Sequence, residues 1–478
     1  MDLKGTKIAL IFPPYKETRD TISVKENKKH LGKIPPLSLA YIAAILEAHN
    51  VDTLLIDASA LALSKEECVR RLQEFSPDFL GFTLATYHFH HTLDWIRYLK
   101  NNIKVPIVVG GIHTSVYPKE TLAHKEIDYL VIGDGEETLP ELIKTLLNGS
   151  NISQIKGIAY KDQAGNVLLN EPRGSFNNID LTPFPARHLL PNEKYFSLIS
   201  HRKNFTAMMT SRGCPFNCIF CDNNTIKFRF RSPENVVDEM VECYDKYDIR
   251  EIDIFDAAFT VKKDRAKKIC EEMLKRQLDI IWSFRTRADL IDKELLTLLN
   301  RASCTRIYYG IESASPTILK NIKKEVSIER IKEVIWQTEK SGIEPFGFFM
   351  VGNIGETKET VAETIQLIKK LPLKYIQVAS IYVPPNTELY DYLRDENQYD
   401  FWREYTRKGK LEGELPLYGT SLTRKEIDHY VKRMYLAFYL RPFQVLKIVL
   451  SIKSFEEFKR GCIALKDMVV SFFRSGLN

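Results

Sequence analysis

The sequence predicts an α/β protein with a doubly wound parallel sheet in its first third. An incomplete βα barrel of six units should follow, and then a helical C-terminal block. Three observations carry this. Apolar, β-branched runs alternate with amphipathic segments from Lys4 to Leu147. The same alternation resumes from Asn204 to Glu396, and no further strand-like run follows Asn397. Strand–helix alternation buries parallel strands between helices, and 478 residues suffice for two or three domains around a large core.

Composition narrows the class. The chain is 44% hydrophobic and 27% charged, with a formal net charge of +6 that is spread out and too weak to argue for nucleic acid. The start, "MDLKGTKIALIFPPY", has an apolar run that reads as a strand rather than a signal peptide. No stretch of eighteen apolar residues occurs, so no membrane span is expected. Five of the eight cysteines (Cys68, Cys243, Cys270, Cys304, Cys462) are scattered through helix- or strand-like segments, which is not a disulfide framework. The expected location is a reducing cytoplasm.

In the first block, taken as residues 1–148, the strands are "KIALIF", "DTLLID", "FLGFTL", "PIVVGG" and "DYLVIG". The helices between them are "PLSLAYIAAILEAH", "SKEECVRRLQEF", "HTLDWIRYLKNN" and "EETLPELIKTLL". Parallel sheets bind ligands beyond the carboxyl ends of their strands. The polar and glycine residues there are Pro13-Pro14-Tyr15, Thr83 to His88, Gly110-Gly111-Ile112-His113 and Gly133-Asp134-Gly135-Glu136. Each loop alone is as readily a simple turn; all at one edge favour a large ligand. Residues 149–203 form a connector, with a hairpin turning at Ala164-Gly165-Asn166 and then the proline-punctuated "IDLTPFPARHLLP".

The second block, 204–396, offers "FTAMMTSRG", "EIDIFD", "IIWSFRT", "TRIYYGIES", "EPFGFFMVG" and "YIQVASIYV", most followed by a helix. In βα barrels chemistry sits at the carboxyl ends of the strands. The third block, 397–478, contains "RMYLAFYLRPFQVLKIVLSIKS", in which Arg433, Arg441, Lys447 and Lys453 interrupt aromatic and aliphatic residues. Such a segment can lie on a membrane surface, cover an apolar cavity, or simply cap the barrel.

Just after the first barrel strand stands "TSRGCPFNCIFCDN", with Cys214, Cys218 and Cys221 at spacing C-x3-C-x2-C. Thiolates bind soft metals. A structural zinc site wants four ligands, usually as paired C-x2-C units, and no second pair follows. A four-iron cluster normally takes four thiolates, so three leave one iron open.

This triplet, with the aromatic Phe220 before its last cysteine, resembles the signature of the radical S-adenosylmethionine (SAM) family. The fuller "SRGCPFNCIFC" resembles the branch with an N-terminal cobalamin-binding domain, over roughly the first 400 residues. The resemblance implies a Rossmann-like cobalamin domain, a partial (β/α)6 barrel, and a 4Fe–4S cluster on Cys214, Cys218 and Cys221. The open iron would chelate SAM, whose reductive cleavage to a 5′-deoxyadenosyl radical starts the chemistry. "FDAAFT" resembles the second-strand motif, with Asp256 kept and Ala257 in place of a second acid. "SFRTRADLI" offers Arg285 and Arg287 for the SAM carboxylate. "YYGIESAS", with Gly310, Glu312 and Ser313, resembles the ribose-binding strand. "FFMVGNIGET" brings Gly352, and "YVPPNTELY" has Asn386 where the family carries glycine.

In the first block "KIALIFPPY", "PPLSLAYIAAILE", "VVGGIHTSVYP" and "IGDGEET" match the branch's cobalamin pattern. The implied cobalamin contacts are Pro14, Tyr15, Leu37, Thr83, Thr86, Tyr87, Gly110, Gly111, His113, Gly133, Gly135 and Glu136. No D-x-H-x-x-G is present, so cobalamin without a histidine ligand is expected. His88, His90, His91 and His113 are read as loop or helix-surface residues. "FYLRP" resembles a subgroup that contains enzymes acting on hopanoids and other isoprenoid lipids and the anaerobic magnesium-protoporphyrin monomethyl ester cyclase.

The expected function is methylation, ring formation or rearrangement of an apolar, isoprenoid-type substrate. A ferredoxin- or flavodoxin-type reductant and a peripheral contact with the inner membrane face are expected; nucleic acid is not. The competing readings are a radical SAM methyltransferase acting on a small molecule or peptide, and a corrinoid- or SAM-binding sensor that does no chemistry. RNA methylthiolation would need a second cysteine set and an RNA-binding tail, and neither is present.

Overall fold

The computed structural model describes residues 3–14, 32–409, 417–450 and 459–461. The chain divides into two compact units: Met1–Thr18, Ile34–Lys194 and Gln398–Leu415 form the first, and the remainder forms the second. The expected connector thus belongs to the first unit as far as Lys194 and to the second from Tyr195, and the expected C-terminal block is shared between both.

The first unit is built on strands β1 (Lys7–Phe12), β2 (Asp52–Asp57), β3 (Phe79–Thr83), β4 (Ile107–Gly110), β5 (Tyr129–Val131), β6 (Ile158–Lys161) and β7 (Val167–Leu169). The sheet order is β2-β1-β3-β4-β5-β6-β7. The first five strands are parallel, with Lys7 opposite Asp52 and Ile8 opposite Phe79; β6 and β7 add the expected hairpin antiparallel. The strands read as nearly continuous apolar runs because both faces are covered. Helix α1 (Leu37–Ala48) buries eight of its residues, and α2 (Lys65–Phe75) starts at a capping box between Ser64 and Glu67. Helices α3 (Phe89–Asn102) and α4 (Gly135–Leu147) complete the layers.

A later helix, Phe401–Lys408, docks on this unit. His90 Nε2 lies 2.5 Å from the Tyr405 carbonyl oxygen, His124 Nε2 lies 2.9 Å from that of Thr406, and the Tyr117 hydroxyl donates to Asp400 at 2.8 Å. His90 is therefore a half-buried docking residue rather than a surface one.

The second unit carries six parallel strands in chain order: β8 (Phe205–Met208), β9 (Glu251–Ile254), β10 (Ile281–Thr286), β11 (Cys304–Glu312), β12 (Glu344–Val351) and β13 (Tyr375–Ser380). Helices α5 (Pro233–Tyr247), α6 (Lys263–Arg276), α7 (Lys293–Arg301), α8 (Ile328–Lys340) and α9 (Lys358–Lys370) lie between them. On β11 the Tyr309 hydroxyl pairs with Thr338 of α8 at 2.7 Å. Its neighbour Tyr308 consequently points to the opposite face, where it meets Phe346 and Phe348.

Among the described residues the barrel has six strands, and β13 is its last. Helix α10 (Arg424–Tyr439) covers it in place of a seventh strand. The Tyr439 hydroxyl accepts from Ile376 N and donates to Ile376 O, both at 3.1 Å. One turn earlier Tyr435 does the same at Val378, at 3.0 and 3.2 Å. Two tyrosines spaced i, i+4 so satisfy four main-chain groups that an edge strand would leave exposed.

Helix α11 (Pro442–Leu450) turns Phe443, Leu446 and Leu450 outward at 78%, 52% and 75% exposure. Its cations do not share that face: Arg441 donates to Lys369 O at 2.5 Å, and Lys447 reaches Glu339 at 3.3 Å. Lys453 lies outside the described residues, as do Cys462 and Tyr15.

Candidate functional site

The cysteine loop leaves β8 under heavy restraint. Asp256, just past β9, accepts from Thr210 N at 2.7 Å, Ser211 N at 3.0 Å and Thr210 Oγ1 at 2.5 Å. Arg265 and the Arg231 amide donate to Thr210 O at 2.8 and 2.9 Å. A two-residue ribbon, Ser211–Arg212 against Arg229–Phe230, closes the base of the loop. At Gly213 φ is +71°, and a side chain there would run into the Ile226 carbonyl. Asp256 was expected among the SAM contacts; its carboxylate is instead taken up by the entry to the loop.

Cys214, Cys218 and Cys221 are free thiols, each partly exposed, with Phe220 half-buried beside them. Burial pushes the Cys214 and Cys218 thiols up, and the Arg287 and Lys324 cations oppose it. Among the described residues no three His, Cys, Asp or Glu side chains converge on a point that could hold a single metal ion. A cubane spreads its thiolates over separate irons, so the donor set fits a 4Fe–4S cluster.

Two cationic groups stand near this loop. Arg287, past the end of β10, lies over the Phe216 ring at 4.0 Å and grips Asp289 through Nε and Nη2 at 3.0 and 2.9 Å, which leaves Nη1 without a partner. Lys324, which sequence reasoning missed, forms a buried ion pair with Glu312 at 2.8 Å. Glu312 ends β11 with φ at +64°, unusual for a residue with a side chain. Gly310 makes room for the pair, since a side chain there would strike Lys324 Nζ and Glu312 Oε1. Nothing in "KNIKKE" distinguishes Lys324 from the lysines beside it; only the path of the chain after β11 selects it.

Ser313 is fully buried and pairs with Thr364 at 3.3 Å, which makes it a support for the strand end rather than a contact. Gly352 has φ +101° and packs against Ile427 and Ile381, its N–H bonded to Glu356. Glu356 also accepts from Asn353 N at 3.1 Å, so this unanticipated buried carboxylate shapes the glycine turn. Asn386 has φ +68°, the reason a residue tolerant of left-handed backbone replaces glycine there.

Arg285 parts company with Arg287. It sits within β10, donates from Nη1 and Nη2 to the two Asp253 oxygens at 2.8 and 3.0 Å, and stacks on Phe255 at 3.8 Å and Tyr308 at 4.6 Å. It faces the barrel interior rather than the cysteine loop.

In the first unit, β1 lies between β2 and β3, so the chain reverses direction in the sheet there. Ligands of such sheets sit at that point, beyond the carboxyl ends. Half-buried Pro14 follows β1, and Thr83, Thr86 and Tyr87 end or follow β3. The glycines differ among themselves. Gly133, at φ +81°, has nothing within 4 Å of where a Cβ would stand, whereas Gly111 would place one 2.6 Å from Leu84 O and Gly135 one 2.9 Å from Ile42. Gly110 meets only Val131, at 3.9 Å. Gly133 and Gly110 thus leave open surface at the strand ends, and Gly111 and Gly135 serve internal packing.

His113 is fully buried against Phe89, its Nδ1 2.9 Å from Thr86 Oγ1. Burial depresses its pKa to about 3. His113 and Thr86, both buried, brace the Thr83–Tyr87 loop. Leu37 and Glu136 are also mostly buried, at 7% and 8% exposure.

Residues 28–143 match the B12 binding domain and residues 208–368 match the Radical SAM superfamily. An uncharacterized methyltransferase of Pyrococcus horikoshii is 33% identical over 93% of this chain and 95% of its own length. The anaerobic magnesium-protoporphyrin IX monomethyl ester cyclase of Rubrivivax gelatinosus is 30% identical over 71% of this chain and 62% of its own. Among solved structures, the radical SAM methyltransferase TsrM of Kitasatospora setae, with cobalamin and a 4Fe–4S cluster bound, superposes with a TM-score of 0.72 at 18% identity, covering 98% of this chain and 99% of its own. The cobalamin-dependent radical enzyme OxsB gives 0.71 at 18% identity, covering 98% and 72%. This chain belongs to the radical SAM superfamily, in the branch of enzymes that carry an N-terminal B12-binding domain.

Proposed function

We propose that the protein uses cluster, SAM and cobalamin to transfer a methyl group to, or close a ring on, an apolar substrate. Methyl transfer is the better supported of the two, because the relative that matches nearly end to end is described as a methyltransferase. When bound, the cluster supplies an electron to SAM, and cobalamin supplies methyl-transfer or redox chemistry. The residues do the rest. Cys214, Cys218 and Cys221 hold the cluster at the end of β8, and the Asp256 clamp fixes where it stands. Arg287 Nη1 offers hydrogen bonds to the SAM carboxylate. Glu312, held by Lys324, keeps Oε2 available to ribose hydroxyls. Pro14, Thr83, Tyr87, Gly110 and Gly133 would form the cobalamin edge.

The observation that carries this reading is the partly exposed cysteine triplet, with Arg287 over Phe216 of its loop and the buried Lys324–Glu312 pair at the end of β11. An isoprenoid-type substrate taken from the cytoplasmic membrane face is supported by the outward apolar side of α11. Among the described residues no helix is long and apolar enough to cross a membrane. The site needs a low-potential reductant of the ferredoxin or flavodoxin kind. The test is consumption of SAM by anaerobically reconstituted protein, read as 5′-deoxyadenosine and S-adenosylhomocysteine with and without corrinoid. Reductant-dependent consumption that rises with corrinoid is expected; none, with the cluster intact, refutes the proposal.

A further inference from the structure

Arg285 has donors to spare. A guanidinium carries five N–H groups. One Nη1–H goes to Asp253 Oδ1 at 2.8 Å, the other to Ile254 O at 2.9 Å, and one Nη2–H goes to Asp253 Oδ2 at 3.0 Å. What remains is Nε–H and the outer Nη2–H. These two bonds are parallel and form the side edge of the fork, the geometry that grips a carboxylate or phosphate with two hydrogen bonds.

The edge is also built to stay in place. Asp253 is itself fixed by Ser283 Oγ at 2.9 Å, and Phe255 and Tyr308 hold the guanidinium plane. The Arg285 side chain keeps 22% of its surface exposed while that of Asp253 keeps 6%. The same face continues into an aromatic wall: Tyr308 stacks on Phe348 with centroids 5.7 Å apart and packs on Phe346 at 4.8 Å. Arg287, not Arg285, is the guanidinium that lies over Phe216 of the cysteine loop, at 4.0 Å.

We infer that the free Nε/Nη2 edge of Arg285 binds an oxyanion, a carboxylate or phosphate, on a substrate whose apolar or aromatic frame lies against Tyr308, Phe346 and Phe348. This deepens the proposed function by giving the apolar substrate an anionic handle, and it rests on that reading for the identity of the bound molecule as substrate. The binding it describes needs no turnover.

The test uses full-length, cluster-loaded protein titrated calorimetrically with benzoate and with phenyl phosphate, and with benzamide as the neutral control. Arg285→Lys keeps a cation for Asp253, and so the fold, but has no second edge. The expected result is that benzoate, phenyl phosphate or both bind the wild type, and that affinity falls at least about tenfold in Arg285→Lys, the loss of one or more charge-assisted hydrogen bonds. Benzamide binding should be the same in both, SAM affinity should be unchanged, and saturating SAM should not displace the aryl anion. Arg287→Lys should show the reverse pattern, weaker SAM and unchanged aryl anion. Failure of the wild type to bind either anion better than benzamide overturns the inference, as does equal binding by Arg285→Lys. A tenfold loss of SAM affinity in Arg285→Lys would return this edge to SAM and overturn it as well. Failure of SAM turnover with anion binding intact would sink the proposed function while leaving the Arg285 site standing.

Discussion

The two sheets do the same thing with different chemistry. Both are parallel, and both gather their distinctive residues at the carboxyl ends of the strands. The first does it with backbone: glycines, a proline and hydroxyls, and a histidine turned inward. The second does it with charged side chains held by partners, such as Glu312 by Lys324, Arg287 by Asp289 and Arg285 by Asp253. A surface made of backbone suits a large, flat ligand touched over a wide area, while a small charged one needs a few donors fixed in direction. Substitutions should therefore act on specific contacts in the second unit and on shape in the first.

The largest effect expected on this view is loss of the metal. Wild type should contain about four iron and four sulfide for a single four-iron cluster, and Cys214→Ala, Cys218→Ala and Cys221→Ala together should leave neither. Cluster absorbance surviving in the triple variant would show that the ligands lie elsewhere.

Next comes Glu312. Alanine there strands Lys324 in a buried setting, and breaking such a pair typically costs about 3–5 kcal/mol. Glu312→Gln keeps the shape and tests binding instead: SAM affinity should fall at least about tenfold. Affinity equal to wild type in a folded Glu312→Gln protein would remove this residue from the site.

The first unit is probed by two glycines with opposite surroundings. Gly111→Ala pushes a methyl into Leu84 backbone at a positive φ and should cost more than about 2 kcal/mol, seen as a lower melting temperature. Gly133→Ala meets no neighbour, so it should cost only about 1–2 kcal/mol for its backbone conformation while weakening corrinoid binding. A Gly133→Ala protein with full corrinoid affinity would mean that this opening is not part of the ligand surface.

These contrasts also mark what the sequence could and could not reveal. The strands of both sheets were legible because their apolar runs are short and bounded by glycine, proline and polar turns. "KIALIF" and "DTLLID" match β1 and β2 residue for residue. The cysteine triplet was legible because three thiols so closely spaced in a glycine- and proline-bent loop suit a soft metal and little else. Arg285 and Arg287 looked interchangeable, two residues apart in one motif. They separate only because β10 ends between them, and a position inside a strand and one beyond it reach different places. Asp256 read as a ligand contact because "FDAAFT" resembles the family's second-strand motif, and no pattern announces that main-chain amides will claim it. Lys324 and Glu356 were hidden for the same reason: their partners are distant in sequence or main chain, and a lysine or glutamate on a loop is ordinarily solvated. The histidines of "HFHH" looked like a surface group because the helix that covers them comes far later in the chain; His90 and Tyr405 are 315 residues apart.

A smaller effect concerns the amino ends of the barrel strands, away from the candidate site. Glu344 is buried, which alone would push its pKa up, but Arg306, His201 and Lys374 hold it well below the usual carboxylate range. A carboxylate depressed in the folded state adds stability above its unfolded pKa of about 4.3. That stability is lost as pH falls below this value toward the folded pKa. Neighbouring Glu251 is shifted upward, chiefly by burial, so its own contribution has the opposite slope. The melting temperature of wild type should drop below about pH 4.3, and Glu344→Gln should flatten that decline while lowering stability at neutral pH. An acid limb unaltered in Glu344→Gln would locate the sensitivity elsewhere.

The smallest effect is at α11. Because its cations are engaged with the protein, charge should matter little and apolar exposure a good deal. Phe443→Ser with Leu446→Ser and Leu450→Ser should abolish flotation with vesicles at low salt, whereas Arg441→Gln with Lys447→Gln should leave it nearly unchanged. Wild type that stays in the soluble fraction removes the membrane from the proposal.

The claim on which the rest depends is that three cysteines leave one iron open to SAM. The direct measurement is the electron paramagnetic resonance spectrum of the one-electron-reduced cluster with and without SAM labelled with oxygen-17 in its carboxylate. The expected result is a changed spectrum with oxygen-17 hyperfine coupling in wild type, and no coupling when Arg287→Gln and Glu312→Gln are combined. A reduced cluster whose spectrum is the same with and without saturating SAM would contradict the claim.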